Sequence, residues 1–555
     1  MRKLLFAAII LALAAAAGAQ TSRSNKSRVA RNLTIFNAVM KELQTNYVDT
    51  IDADALVQTA IDAMLNRIDP YTEYFPYEDR EDLTAISTGQ YGGIGAYIQR
   101  RPGGTIVSEP VYGAPAQTVG VRHGDVILEV DDVDVTQFKE SDKVSRMLRG
   151  QAGTKVKVKV RRPYVQDSIL TFDITRRTIT MNPMPYYGVD STGMGYIRLT
   201  TFNEKSAGEV KDALIDMKRN PNLRGLVLDL RSNGGGILEG AVQIVGLFVP
   251  KGTEVVRHSG FEGKNLKIYK TTQQPIDTEI PLVVMVDGGT ASASEITAGA
   301  LQDLDRAVIV GSRSFGKGLV QTSRPLPYDG LLKVTMAHYY IPSGRLIQAI
   351  DYSRRNPDGT PMHIPDSLTK VWKTKHGRDV RDGGGITPDV AVSDTSINRL
   401  IYNVVADNWA FDFANRFRAY NDSLPAASEW IMPDTVFTSF KAFIDPARFK
   451  YDKMCEQGID FLRQAAVNEG YMNDSVKAQI DLLAGMLKHN LDRDLDFNKE
   501  RLIPILDAEI SERYYGEGDR VMRALRYDME LDTARAVLLD TERYKSLLRP
   551  KQGVK

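Results

Sequence analysis

Between Met194 and Tyr340 short apolar runs alternate with amphipathic helical stretches, and that order leaves the chain few folds to choose from. Met194 to Leu199, Leu226 to Leu230, Leu282 to Val286, Ala307 to Val310 and Leu331 to Tyr340 read as strands. Glu204 to Met217, Leu238 to Phe248 and the stretch that opens at Ser292 read as helices. Strands joined through helices imply a largely parallel sheet with the helices packed on it. Gly385 to Val390 closes this region with a turn and a short strand, after a polar loop over residues 351–382.

The remainder divides around that α/β core, because 555 residues exceed what one core can bury. Arg2 and Lys3, the uncharged run Leu4 to Ala17 and the small residues of Ala17-Gly18-Ala19 predict a signal peptide over 1–19, cleaved after Ala19. The run is short for a bilayer span, which takes about 20 residues. The mature chain is therefore expected to be periplasmic or extracellular with no stable membrane span, a retained anchor being the alternative. A polar, flexible stretch over 20–32 leads into a helical region over 33–82, with a helix from Asp54 to Arg67. From residue 396 to 555 the pattern is helical throughout, with Asp474-Ser475 as the N-cap of one helix.

A net charge of +1 argues against nucleic acid as a partner. The single cysteine, Cys455, excludes an intrachain disulfide framework. Six scattered histidines without His-x-x-x-His spacing, and no cysteine pair, argue against a metal centre.

Residues 83–180 switch to short strands. Gly92-Gly93-Ile94-Gly95 leads into Ala96-Tyr97-Ile98, Gly124-Asp125-Val-Ile-Leu follows, Ser141 to Leu148 reads as a helix, and Lys155 to Val160 alternates with period two. The segment resembles a PDZ domain. A glycine-rich backbone can turn the N–H groups around Gly93, Ile94 and Gly95 towards a peptide carboxylate, and the following strand edge can pair with the peptide.

The chemistry concentrates between Val286 and Gln321. A glycine turn after the strand Leu282 to Val286 brings small hydroxyl residues to a helix start that contains Ser292. A serine hydroxyl needs a neighbouring base. No histidine has a fitting context, but Lys317, between Gly316 and Gly318 with Phe315, Leu319 and Val320 around it, has the low polarity that favours a neutral amine. If Lys317 to Gln321 is extended, Gln321 shares its face and can orient it. At the helix start the N–H of Ala293 is free to stabilise an oxyanion, and a second donor is best sought in Gly234-Gly235-Gly236. Each element alone has a plainer reading: a surface lysine, an N-cap serine, a glycine turn.

Together they resemble a family. Leu228-Asp-Leu-Arg-Ser-Asn-Gly-Gly-Gly, Thr290-Ala-Ser-Ala-Ser-Glu-Ile, Gly299-Ala-Leu-Gln-Asp, Ser314-Phe-Gly-Lys-Gly-Leu-Val-Gln and Ile341-Pro-Ser-Gly-Arg are similar to the motifs of the C-terminal processing peptidases, or tail-specific proteases, over residues 33–395. The resemblance implies Ser292 as nucleophile, Lys317 as general base, Gln321 as its orienting partner, and an oxyanion hole from the N–H groups of Ala293 and Gly235. It implies a crotonase-like (ClpP/crotonase-type) protease core over 181–395. With the inserted PDZ domain, the N-terminal helical segment and the C-terminal all-α extension read from the pattern, the chain is expected to be a multidomain α/β protein; the extension after 395 lies outside the matching motifs. It implies no cofactor, and protein substrates with apolar C-terminal tails. Thr290 stands where the family more often has serine. A homodimer and an envelope adaptor protein are the further partners considered. Competing readings are a catalytically silent PDZ scaffold in the envelope, a Ser-His dyad, and a substrate in the cell wall with the helical tail binding peptidoglycan enzymes or a lipoprotein adaptor.

Overall fold

The computed structural model describes residues 27–77, 88–166, 168–264, 266–392, 398–451 and 453–550. The signal-peptide reading of 1–19 lies outside them. The chain forms two compact units, one of residues 1–77 and 321–335, the other of 78–320 and 336–555.

In the first unit a helix covers residues 27–46, so the stretch expected to be flexible is helical from residue 27. Residues 27–32 contain neither glycine nor proline, and a helix nucleated by the apolar stretch beyond propagates back through them at little cost. A second helix, Ala53–Asn66, starts where the Asp52 carboxylate accepts from the Ala55 N–H at 3.0 Å. It ends before Pro70, where the buried Asp69 carboxylate takes the N–H groups of Tyr71 and Thr72, both at 2.8 Å. The strand Glu73–Phe75 then pairs antiparallel with residues 331–333.

In the second unit the β-rich domain is an antiparallel sheet in the order Ala96–Arg101, Gly104–Pro110, Val126–Val130, Lys155–Arg161, Ile169–Thr175. Val107, Ile127, Val130, Val156, Val158 and Val160 close its core against Val144 and Leu148 of the helix Ser141–Leu148. Gln90–Gly93 pairs with Arg177–Thr180, so entry and exit of the domain are tied as a two-stranded ribbon. Ala96–Arg101 is an edge strand, hydrogen-bonded to Gly104–Pro110 alone among the described residues.

The α/β core is a six-stranded sheet in the order Tyr186–Val189, Met194–Arg198, Gly225–Asp229, Leu282–Val286, Val308–Gly311, Val390–Ala391. Only the first pair is antiparallel. One face carries Leu226, Leu228, Leu282 and Val284 and is covered by the helices Ser206–Met217, Leu238–Val245 and Ala293–Asp303. The other face carries Tyr196, Val227, Val283, Met285, Val308 and Val310. It is covered by Leu531, Ala534, Val537 and Leu538 of the helix Met529–Leu539 and by Tyr544, whose hydroxyl accepts from the Leu282 N–H at 2.9 Å.

The helical region expected over 396–555 therefore divides. Its first part has a core of its own, centred on Phe413, Phe437, Phe440, Leu502 and Leu506. Its last helices supply the second layer of the core sheet, which a strand apolar on both faces requires. One cap differs from expectation: Asn473, not Asp474-Ser475, accepts from the Val476 N–H. The segment 351–382 also departs from a loop, since Ile350–Arg355 pairs with Pro361–His363 and Val371–Lys373 with Asp379–Arg381. The turns fall at Gly359 and Gly377, both at positive φ, which polarity alone did not distinguish from irregular loop. No helix among the described residues is long and apolar enough to cross a membrane.

Candidate active site

Ser292 sits at the junction between the strand Leu282–Val286 and the helix Ala293–Asp303, as the residue that caps that helix. Its backbone is at φ 56°, ψ −115°. A positive φ in a residue with a side chain costs about 1–3 kcal/mol and is found where a sharp strand-to-helix turn pushes a hydroxyl outwards. The N–H of Ala293 lies in the first turn, where no preceding helical carbonyl exists to receive it.

Lys317 lies just before the strand Leu319–Pro325 and is half-buried. Its two glycines are sterically required. Gly316 has φ +87°, and a Cβ there would stand 2.4 Å from the Ala349 Cβ. At Gly318 a Cβ would stand 2.9 Å from the Gln348 backbone nitrogen, and the Gly318 N–H donates to Gln348 Oε1 at 2.7 Å.

What joins the two segments is Glu295, a residue the sequence reading quoted within a motif but gave no role. Its Oε2 accepts from the N–H of Ser292 at 3.0 Å and from the N–H of Lys317 at 2.9 Å. Its Oε1 accepts from the Ser314 hydroxyl at 2.6 Å and the Gly316 N–H at 2.7 Å. The side chain is fully buried, and burial pushes the carboxyl up to about 7 against four hydrogen bonds that pull it down. The buried Tyr339 closes the opposite side, its hydroxyl donating to the Lys317 carbonyl and lying 3.3 Å from that of Ser292. Tyr339 reads as one more strand aromatic, whereas Ser292-Ala-Ser-Glu295 has the capping-box spacing, a signal that places the Glu295 carboxylate on the Ser292 N–H.

The glycine run lies against the same junction. Gly235 has φ +98°, and a Cβ there would stand 2.8 Å from both the Ser292 Cβ and the Ala293 nitrogen. Its N–H donates to Asn233 Oδ1 at 2.9 Å, so serving an oxyanion requires that bond to open. Asn233 is buried and ties the loop on three sides. Its Nδ2 donates to the Leu199 carbonyl, and its own carbonyl accepts from the Ala291 N–H and the Ser294 hydroxyl. Thr290 serves the same scaffold, donating to the Leu230 carbonyl at 2.8 Å and accepting from the Asp287 N–H at 2.9 Å. A threonine hydroxyl meets that need as a serine would.

Of the remaining expected residues, Gln321 belongs to the first compact unit, where its amide donates to the Thr335 hydroxyl at 3.2 Å. Gly93, Ile94 and Gly95 precede the edge strand of the β-rich domain, with the Ile94 side chain buried in its core. The Ile94 and Gly95 carbonyls are taken by the N–H groups of Ala116 and Val111. Gln302 and Asp303 hold the buried Arg345, at 2.7 and 2.9 Å, so the Gly299 and Ile341 motifs meet as framework.

Residues 193–358 match the model of peptidase family S41, 106–162 a PDZ domain, and 400–538 the model described as "Probable PDZ-protease, C-terminal helical domain". A carboxy-terminal-processing protease of Bartonella bacilliformis is 35% identical over 356 residues, 63% of this chain and 81% of that one. A "Probable CtpA-like serine protease" of Staphylococcus aureus is 32% identical over 397 residues, 71% of this chain and 77% of that one. The photosystem II D1 C-terminal processing protease, a solved structure, is 29% identical over 64% of this chain and 86% of that one, with a TM-score of 0.37.

Proposed function

The chain belongs to peptidase family S41, as a carboxy-terminal-processing serine protease with a PDZ domain, and from that premise we propose that it cleaves proteins through a Ser292–Lys317 dyad on a crotonase-like core. The observation that carries the proposal is the shared oxygen of Glu295, which brings the backbones of Ser292 and Lys317 side by side. It is supported by the positive φ of Ser292.

The neutral Lys317 amine takes the Ser292 hydroxyl proton as Oγ attacks the scissile carbonyl carbon. The oxyanion that forms is met by the Ala293 N–H and, once Asn233 releases it, by the Gly235 N–H. As the carbon–nitrogen bond breaks, the Lys317 ammonium returns its proton to the leaving amine and an acyl-enzyme remains. Water, deprotonated by the same lysine, then attacks the ester, and the proton passes back to Ser292. Binding precedes this: the backbone around Gly93, Ile94 and Gly95 receives the free carboxylate, and the edge strand Ala96–Arg101 pairs with the last residues of an apolar tail. An exported chain, freed of its N-terminal signal, would meet such tails in the periplasm or outside the cell.

The direct test is cleavage of a disordered protein with a free apolar C-terminus by the mature chain and by Ser292→Ala. Loss of cleavage in the variant supports the assignment, and equal cleavage by both removes it.

A further inference from the structure

The helix Met529–Leu539, which precedes the helix Thr541–Leu547, reaches the loop under Ser292 as well as the sheet. Arg231 opens that loop, and all five of its side-chain N–H donors end on carboxylate oxygens. Nε and one Nη2 donor meet Asp229 at 3.0 and 2.6 Å. The other Nη2 donor and one Nη1 donor meet Asp528 at 2.5 and 3.1 Å, and the last meets Glu530 at 2.7 Å. Asp528 is also the N-cap of the tail helix, accepting from the Leu531 N–H at 2.9 Å. The helix start and the active-site loop thus share one carboxylate.

We propose that Asp528 and Glu530 are positioning residues for the reaction, which act through Arg231 to set the loop 231–236 beneath Ser292. The proposal rests on the reading of that loop as the second source of oxyanion stabilisation. A planar guanidinium held on both edges cannot rotate, so it fixes the backbone it belongs to as well as its charge. That backbone turns sharply at once: Ser232 has φ 56°, with its N–H and hydroxyl on Asp287 at 2.7 and 2.9 Å. Asn233 then binds the Ala291 and Ser294 side of the Ser292 junction, and Gly235 packs against Ser292 itself. Three residues separate the grip on Arg231 from the proposed donor. Asp229 alone would not provide the tail's share. It is fully buried, and although burial raises a carboxyl, Arg231, Arg198 and the Tyr196 hydroxyl hold this one below its usual range. Asp229 is part of the sheet and moves with it, whereas Asp528 and Glu530 bring the helix Met529–Leu539 to the same guanidinium.

The experiment uses the full mature chain with Asp528→Asn and Glu530→Gln combined. Asparagine keeps the N-cap, and both changes keep volume. On a peptide with a free C-terminus kcat should fall about 10- to 100-fold, the scale of a small misplacement of catalytic groups. KM should stay within about twofold, because the substrate-binding strand is untouched. Labelling of the serine by a phosphonate should slow by the factor seen in kcat. Tyr544→Phe, which loosens the tail at its contact with Leu282, serves as the control and should lower the melting temperature without lowering kcat. Unchanged kcat in the double variant overturns the proposal. So does a fall that Tyr544→Phe reproduces at equal loss of melting temperature, since the tail then acts through stability alone. Ser292→Ala run alongside separates the two readings, because cleavage that survives it overturns the active-site assignment itself.

Discussion

Ser292 and Lys317 are joined through their backbones, with both N–H groups donating to one oxygen of a buried carboxylate at 3.0 and 2.9 Å. Twenty-four residues lie between them in the chain, and the pairing fixes where their side chains start. Glu295 is the centre of that arrangement, and what it does can be measured.

Glu295→Gln keeps the shape and removes the arrangement's logic. Four donors converge on two oxygens, and an amide offers one oxygen and two further donors. Either the Ser292 and Lys317 pair or the Ser314 and Gly316 pair then loses its acceptor. Each buried donor left unmet costs about 1–3 kcal/mol. We expect kcat to fall at least about 100-fold with KM little changed, as measured by steady-state peptide cleavage.

The same carboxyl sets a pH dependence of stability. Its folded pKa, about 7, lies above the ordinary 4.5, so between those values the folded chain holds a proton that the unfolded chain has released. Its stabilising contribution is therefore complete below about 4.5 and is lost as pH rises through 7. In denaturant titrations the stability of the wild type relative to Glu295→Gln should decline by about 3 kcal/mol between pH 4.5 and 8. A difference that stays constant across that range places the proton elsewhere.

Cleavage should run the other way with pH. The ionised Glu295 accepts from all four donors, and the proposed base is the neutral Lys317 amine, so activity should rise as pH climbs through the Glu295 value of about 7. A kcat profile flat from pH 5 to 9, with chemistry rate-limiting, contradicts both roles.

Gly235→Ala introduces a Cβ 2.8 Å from the Ser292 Cβ and from the Ala293 nitrogen, at a φ of +98°. The backbone must shift just where the oxyanion is to form. Removing one such donor costs about 100- to 1,000-fold in kcat, and we expect a loss on that scale, read as slower labelling of the serine by a phosphonate.

Substrate capture should depend on a free terminus. The edge strand Ala96–Arg101 has an open side among the described residues, so backbone pairing survives when a peptide is amidated, while the carboxylate contact is lost. An amidated peptide should show KM raised at least about tenfold with kcat within about twofold. Equal KM for both forms would show that the domain does not read the carboxylate.

Much of this was legible in the residues, for reasons that differ element by element. The helix Ser141–Leu148 and the strand Leu331–Tyr340 have the bounds their patterns suggested, because apolar spacing decides them locally. The strand nevertheless lies outside the parallel core sheet it was expected to join, its residues 337–340 pairing antiparallel with residues 257–260. The resemblance implied that Gly235 stands by Ser292, where the residues alone pointed only to the run 234–236. The hydrogen bond that occupies the Gly235 N–H was not legible, since it depends on which way the Asn233 amide faces. Glu295 was legible only in part, because its capping-box spacing from Ser292 accounts for one of its four donors. An acid in a first helical turn ordinarily faces solvent and the helix dipole, and only the fold of Ser314 to Lys317 over it converts it into a buried acceptor. The tail was hardest to read. Leu531, Ala534, Val537 and Leu538 have the spacing of any amphipathic helix, and nothing local says that their partner is a sheet more than two hundred residues upstream.

The central claim is that Lys317 activates Ser292, and one measurement bears on it most directly. Wild type and Lys317→Ala are each exposed to a serine-reactive phosphonate near pH 8, and the modified peptide is identified by mass spectrometry. The account predicts stoichiometric labelling of Ser292 in the wild type and labelling slower by at least about 1,000-fold in Lys317→Ala, with the variant folded. Labelling of another serine, or of Ser292 at the same rate in both proteins, would contradict it.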